Sequence, residues 1–333
     1  GSHNVPETGW YPETDQESVV VDLGETQEIK QIYAFAGWID RRHSDSEVIR
    51  EITIEVSDDN ISWRRLGDKM ELSEVFHWKV TPVEDVSARY IRLTPDDGRF
   101  YINELAFYGD SEDVRFYPSS VISGNETAKM LIDEQDKVVY EFSWYDGTYF
   151  DEIYHPRTAY ENITHRYPYE NTHPPLGKLI IAAGMLLFGV NPFGWRFFGT
   201  LCGVLMVPLA YMMGKKMFKT SFFAFCTAFI FTFDFMHLSQ TRLATIDSYT
   251  TFFVMGMFYF MYQYISTSFY NVGLKKTLRP LLLSGICFGL GAATKWQGIY
   301  AGFGLAALFF ISLGRRYLEY RQASKMNKRD EQA

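Results

Sequence analysis

The sequence predicts two regions of unlike class: an all-β sandwich, followed by a polytopic α-helical membrane domain. Three observations carry this prediction. Short runs with β-alternation recur through the first 110 residues, apolar runs of membrane-spanning length fill residues 195–314, and Lys and Arg concentrate in alternate connections between those runs. A chain of 333 residues has room for both regions.

In the N-terminal region, β-alternating or β-rich apolar segments run from Ser18 to Leu23, Ile29 to Phe35, Glu51 to Val56, His77 to Val80, Arg89 to Leu93 and Glu104 to Tyr108. They are punctuated by Leu23-Gly24, Ser57-Asp58-Asp59-Asn60 and Pro95-Asp96-Asp97-Gly98, and many short strands at such spacing imply a β-sandwich. Cys202, Cys226 and Cys287 all lie inside apolar runs, so the sandwich has no disulfide framework to rely on and must be held by its own core. The net charge is −8 with the acidic residues concentrated in this half, which argues against a nucleic-acid partner.

The phrases V-V-V-D-L-G, I-T-I-E-V-S-D-D-N-I-S-W, A-R-Y-I-R-L-T and I-N-E-L-A-F-Y-G resemble the discoidin (coagulation factor 5/8 type C) jelly roll, over residues 1–110. The resemblance implies a module of a kind that often binds glycans or lipid head groups. Trp10, Tyr11, Trp38 and Trp63 are aromatic candidates for stacking on a sugar, although Trp63 stands where the family has a core residue.

Residues 111–145 mix charges with Pro118, Ser119, Ser120 and Gly124, show no sustained period, and read as a linker with local helix. Residues 146–194 read as an extracytoplasmic catalytic loop with juxtamembrane helices. Within them the apolar run from Leu179 to Val190 rises only about 18 Å as a helix, short of the roughly 30 Å hydrocarbon layer, so it lies in the interface without crossing. About five later runs are long enough, or nearly so, to cross: 195–213, 218–238, 245–266, 279–295 and 298–314. Lys215, Lys216 and Lys219 follow the first, Lys275, Lys276 and Arg279 separate the third from the fourth, and a basic tail occupies 315–333. The positive-inside rule makes these connections cytoplasmic, which leaves the loop and the sandwich outside. A domain that starts outside needs something upstream to export it, so the chain reads as a fragment whose first span is missing, with room for further spans after residue 333.

Polar groups in or beside apolar spans are costly and functional by default. Five such clusters fall on the extracytoplasmic side: Asp151 with Glu152; His173; Trp195-Arg196; the stretch holding Asp234, His237, Arg242 and Asp247; and Lys295-Trp296. Their expected convergence on one membrane face argues for a site.

The motifs Y-F-D-E, H-P-P-L-G-K, G-W-R-F-F-G, Q-T-R-L-A-T-I-D-S and T-K-W-Q-G resemble, in family order, the protein O-mannosyltransferases and, more distantly, other polyprenyl-phosphate-sugar transferases of the multi-span GT-C class. The resemblance implies a bacterial multi-pass membrane enzyme that moves a sugar, typically mannose, from a polyprenyl phosphate to a Ser or Thr hydroxyl of an exported protein, with inversion, and it makes dimers plausible. Its implied base is Asp151, with Glu152 either reacting or ordering the loop. Arg196, Arg242 and Lys295 are candidates to hold the donor phosphate, since guanidinium and ammonium groups match phosphate oxygens. His173, Asp234, His237 and Asp247 are further candidates; Asp247 alternatively complements a helix N-terminus, and Arg196 an interfacial Trp195. The leaving phosphate requires a counter-charge more than a proton. There is no Asp-x-Asp motif, and the irregular spacing of His155, His165 and His173 does not suggest a metal cluster, so no cofactor or divalent metal is expected beyond the lipid-phosphate sugar as co-substrate. Two other readings differ in acceptor or class: a lipid or cell-wall glycan acceptor, and a membrane-anchored glycan-binding protein in which the spans only anchor the sandwich.

Overall fold

The computed structural model describes residues 6–14, 16–36, 50–72, 76–96, 100–143, 145–269 and 272–330. Trp38 lies outside them. The chain divides into two compact units, Gly1–Tyr169 with Ala182–Trp195, and Glu170–Ile181 with Arg196–Ala333.

The first unit is built on eight strands: β1 (Val19–Ala36), β2 (Arg50–Ser57), β3 (Arg64–Arg65), β4 (Met70–Leu72), β5 (Trp78–Pro95), β6 (Ile102–Tyr108), β7 (Arg115–Phe116) and β8 (Ser120–Ser123). Their order is β3-β2-β5-β1-β6-β7, with β4 on β2 and β8 on β1. The segments expected as separate strands at Ser18–Leu23 and Ile29–Phe35 form one strand of 18 residues, as do those at His77–Val80 and Arg89–Leu93. Each long strand stays paired with the other through register shifts at Asp22/Gln27 and Ile29/Gln31. Such irregularities bend a strand and let it change neighbours: the first part of β1 pairs with β8, and the last part with β6. Asp22 fixes the first shift by accepting from the Gly24 N–H at 2.7 Å and from Arg89 Nε at 2.8 Å.

Trp10, Ile29, Ile32, Ile54, Ile91 and Phe107 are among the fully or nearly fully buried members of the core. The core does not stop at residue 110, however. Ala128 and Leu131 belong to it, Val121 and Ile132 pack on it, and Gln135 Nε2 donates to Glu104 Oε1 at 2.6 Å. The stretch expected as a linker therefore closes the sandwich; its few apolar residues are spaced too irregularly to announce this. Trp63 is half-buried outside the core, with the Arg92 guanidinium 4.2 Å from its ring centroid, so the family core role is not seen at that position.

Helix α1 (His155–Ile163) follows the sandwich. After it come α2 (Leu176–Phe188), α3 (Pro192–Phe218), α4 (Ser221–Thr232), α5 (Phe235–Thr241), α6 (Ile246–Ser266), α7 (Leu274–Thr294) and α8 (Gln297–Asp330). At 13 residues α2 is too short to span. Among the described residues three helices are long and apolar enough to cross a membrane, α3, α7 and the Gln297–Lys325 part of α8, or four if α4 and α5 count as one broken span. The expected count was about five. The continuous run expected over 218–238 is instead bent by 58°, because Asp234 leaves the helix and caps a new one, its carboxylate accepting from the His237 N–H at 2.9 Å. Helix α6 has the length, but Asp247, Ser248, Thr250 and Thr251 at its start and Tyr and Gln side chains farther on dilute its apolarity. In the second unit α6, α7 and α8 pack on one another, with Ser284 donating across to the Met257 carbonyl at 2.8 Å.

Candidate functional site

In the first unit Asp151 lies on a 3₁₀ turn, Phe150–Ile153, that leads into α1. The turn begins with strain, since Phe150 adopts φ 57°, which a bulky residue rarely takes. Glu152 is fully buried, and its Oε2 accepts from the Tyr149 N–H at 2.9 Å, so this carboxylate orders the turn while half-buried Asp151 stays nearer its surface. Behind the turn, Arg157 and Glu161 form a buried ion pair at 3.0 Å. Glu161 also accepts from the Tyr169 N–H at 2.5 Å, and the Arg157 guanidinium stands 3.9 Å from the Tyr169 ring centroid, which locks the return of the chain from α1. Tyr160 donates to Glu7 at 2.6 Å, tying α1 to the start of the sandwich. Burial and that bond push the Tyr160 phenol up.

In the second unit a strap over residues 170–178 is built on a charge pair that the sequence reading missed. Lys178, 3% exposed at its side chain, is paired with the Glu170 carboxylate and also donates to the carbonyls of Glu170 at 2.7 Å and His173 at 3.0 Å. Burial alone drives the Glu170 carboxyl up, but the hydrogen bonds from Lys178 and Thr172 and the Lys178 charge together outweigh it and hold the group down at about 2. Thr172 in turn accepts from Trp296 Nε1 at 2.7 Å. Gly177 explains the close fit. A Cβ there would lie 2.6 Å from Ile246 Cγ2 and 3.0 Å from Thr294 Cγ2, so the strap rests on the start of α6 and the end of α7. There Lys295 Nζ donates to both oxygens of Asp247, at 2.8 and 3.0 Å.

Asp247 also lines a cavity of about 360 Å³ with Asp234, His237, Gln240 and Ser248. His237 Nε2 lies 3.2 Å from the Gly203 carbonyl, a contact that makes Nε2 the donor and leaves Nδ1, buried without a partner among the described residues, as an acceptor. Arg242 ends α5, exposed, where a cation complements the helix C-terminus. Arg196 is half-buried at the start of the second turn of α3.

The structure thus brings together Asp234, His237 and Asp247, joins Asp247 to Lys295, and sets His173 beside Lys178. Asp151 and Glu152 belong to the first unit and the candidate phosphate-binding cations to the second. Lys178 had a visible signal, as the last letter of H-P-P-L-G-K; Glu170 had none, because its partner is set by a loop without period, and the i,i+4 spacing of Arg157 and Glu161 on α1 does not reveal that the pair is buried.

Residues 172–324 match the family model described as dolichyl-phosphate-mannose-protein mannosyltransferase, and residues 2–105 match that of the F5/8 type C domain. A stretch similar to the mannosyltransferase family thus lies behind one similar to the discoidin type. The matched residues include the strap from Thr172 to Lys178, the 360 Å³ cavity and Lys295, while Glu170 stands just before them. A polyprenol-phosphate-mannose–protein mannosyltransferase of Mycobacterium tuberculosis is 27% identical over 202 residues, covering 52% of this chain and 38% of that protein. One from Mycolicibacterium smegmatis is 28% identical over 161 residues, covering 43% and 31%. The dolichyl-phosphate-mannose–protein mannosyltransferase 1 of Saccharomyces cerevisiae is 25% identical over 175 residues, covering 47% and 21%. The chain therefore spans less than two fifths of the length of each of these curated relatives.

Proposed function

We propose that this chain is the donor-handling part of a bacterial multi-pass membrane glycosyltransferase, which moves mannose from a polyprenyl phosphate to a Ser or Thr hydroxyl of an exported protein. The observation that carries this reading is the family match over residues 172–324, which includes Lys178 of the polar strap, the cavity described above and Lys295. The chemistry follows from the donor. As the acceptor oxygen bonds to the anomeric carbon, the bond from that carbon to the phosphate oxygen breaks, the acceptor proton passes to a base, and polyprenyl phosphate leaves as an anion. Attack opposite the leaving group inverts the anomeric carbon.

Asp151 is the proposed base, on a turn held by buried Glu152. Arg196, Arg242 and Lys295 are the proposed counter-charges for the phosphate, with Asp247 orienting Lys295 through its two hydrogen bonds. This neutralisation is by side chains, and no divalent metal is required in the scheme.

The test is Asp151→Asn in the full-length protein, assayed with polyprenyl-phosphate mannose and a Ser/Thr peptide. Turnover is expected to fall by about 10²–10⁴-fold, the usual worth of a positioned base. Unchanged turnover removes Asp151 from that role. Retention of the donor's anomeric configuration in the product removes single-step inversion.

A further inference from the structure

The first unit contains a second cavity, of about 540 Å³, that the proposed transfer chemistry does not use. One wall is His77 and Trp78 at the start of β5; the other is Phe142 and Ser143 with Asp146 to Tyr149, beyond the residues that match the F5/8 type C model. The two walls are fastened together. The Thr148 N–H donates to the Phe76 carbonyl at 3.2 Å, and a Cβ on Gly147 would stand 2.9 Å from that same oxygen, so a glycine is what permits the approach. The Phe142 ring lies nearly parallel to Trp78, 14° apart with centroids at 6.3 Å, and 5.5 Å from Tyr33, whose hydroxyl donates to the Tyr140 carbonyl at 3.1 Å.

The lining has two characters. Phe142 and Tyr149 are 39% and 54% exposed, presenting aromatic surface to solvent beside the rigid sandwich. Asp146 supplies the polar part. Its Oδ2 accepts from the Ser143 N–H at 2.7 Å and Oγ–H at 2.6 Å, while Oδ1 makes no hydrogen bond among the described residues.

We propose that this cavity binds a neutral hexose unit, with an apolar C–H face of the sugar against Phe142 and Tyr149 and its hydroxyls donating to Asp146. Each feature narrows the class. A purely apolar ligand would cover the Asp146 carboxylate without satisfying it, at a cost. An anionic ligand would meet that carboxylate as a like charge. A single carboxylate is a poor cation site, since hard cations gather several oxygen ligands. A sugar offers both an apolar face and hydroxyl donors, and the volume lies in the ~300–1,000 Å³ range of small-molecule sites. Tyr149 both lines the cavity and gives its N–H to Glu152, so the bound hexose lies next to the turn that carries Asp151. The site would hold a sugar already present on an acceptor. The binding site itself does not depend on Asp151 being the base.

The experiment titrates the full chain, in detergent micelles, with mannose, glucose and galactose in turn, followed by saturation-transfer NMR. At least one hexose is expected to bind. Phe142→Ala and Asp146→Asn are each expected to weaken that binding by about tenfold or more, whereas Tyr117→Ala, an exposed aromatic outside the cavity, leaves it unchanged. Failure of all three hexoses to bind overturns the proposal, as does binding that survives both cavity substitutions. A readout on the unsubstituted cavity is the Trp78 resonance of 5-fluorotryptophan-labelled protein, recognised by its loss in Trp78→Phe with the other tryptophan resonances unmoved. It is expected to shift as the hexose is added to unsubstituted protein, and a static Trp78 signal under saturating sugar overturns the assignment.

Discussion

Each unit takes a carboxylate largely out of water, and the two respond in opposite ways. In the sandwich, Glu104 is 0% exposed, and burial raises its carboxyl to about 8 although Gln135 and the Glu134 N–H donate to it. In the helical unit, half-buried Glu170 is held at about 2 because a buried ammonium group is paired with it. Neutral donors do not offset the desolvation of a charge; a cation at contact distance does. The same contrast runs through the apolar residues. The sandwich encloses its Ile and Val side chains, whereas the helical unit leaves Phe222, Ile230 and Phe303 68%, 71% and 74% exposed. Large apolar side chains turned outward on long helices fit hydrocarbon as the surrounding medium.

The sharpest way to break the comparison is Lys178→Met. It leaves the Glu170 charge, 12% exposed at its side chain, without its cation, and a loss of up to about 3–5 kcal/mol is expected in thermal unfolding of the detergent-solubilised protein. The double variant Lys178→Met/Glu170→Gln should recover most of that loss, and equal damage in the double and single variants would mean that charge is not the cause.

The pH dependences of the two carboxylates should also oppose each other. Glu104 has its folded value raised from 4.5 to about 8, so its contribution to stability is fully present below pH 4.5 and lost as pH rises toward 8, by a few kcal/mol. Glu170 has its value lowered from 4.5 to about 2, so its contribution is present above 4.5 and lost as pH falls toward 2. Unfolding of the sandwich, followed by denaturant titration from pH 4 to 9, should become flat over the upper window in Glu104→Gln.

Smaller effects follow from packing and from the half-exposed pair. Gly177→Ala forces a methyl group against Ile246 and Thr294, and about 1–3 kcal/mol is expected in the same melting measurement. Lys295→Met breaks a pair whose side chains remain 16% and 33% exposed, so stability should change by no more than about 1 kcal/mol. If Lys295 serves the donor phosphate, transfer should nevertheless fall well over tenfold, a division between stability and activity that Lys178→Met does not offer.

The regions differ in how much of them could be read in advance. The apolar runs and the discoidin-like phrases were legible because length, composition and alternation are local properties. The Q-T-R-L-A-T-I-D-S stretch likewise pointed to Asp247, which meets Lys295 across 48 residues. The break at Asp234 was half-legible, since a carboxylate inside an apolar run is conspicuous, but whether it caps a helix or reaches a ligand depends on the backbone around it. Glu170 and Arg157 were illegible. Lys178 lies eight residues from Glu170, a spacing without meaning in a loop, and the four-residue spacing of Arg157 and Glu161 on α1 does not distinguish a buried pair from a solvated one.

By itself the sequence determined which stretches prefer water, which prefer hydrocarbon and which motifs stand together, because each of these follows from side chains within one turn or one strand. The tertiary structure alone decided that four expected strands merge into two long ones, that residues 120–132 close the core beyond position 110, and which carboxylates keep their charge. Those outcomes depend on what lies across the gap from each residue, and solvent exclusion fixes that only when distant segments meet.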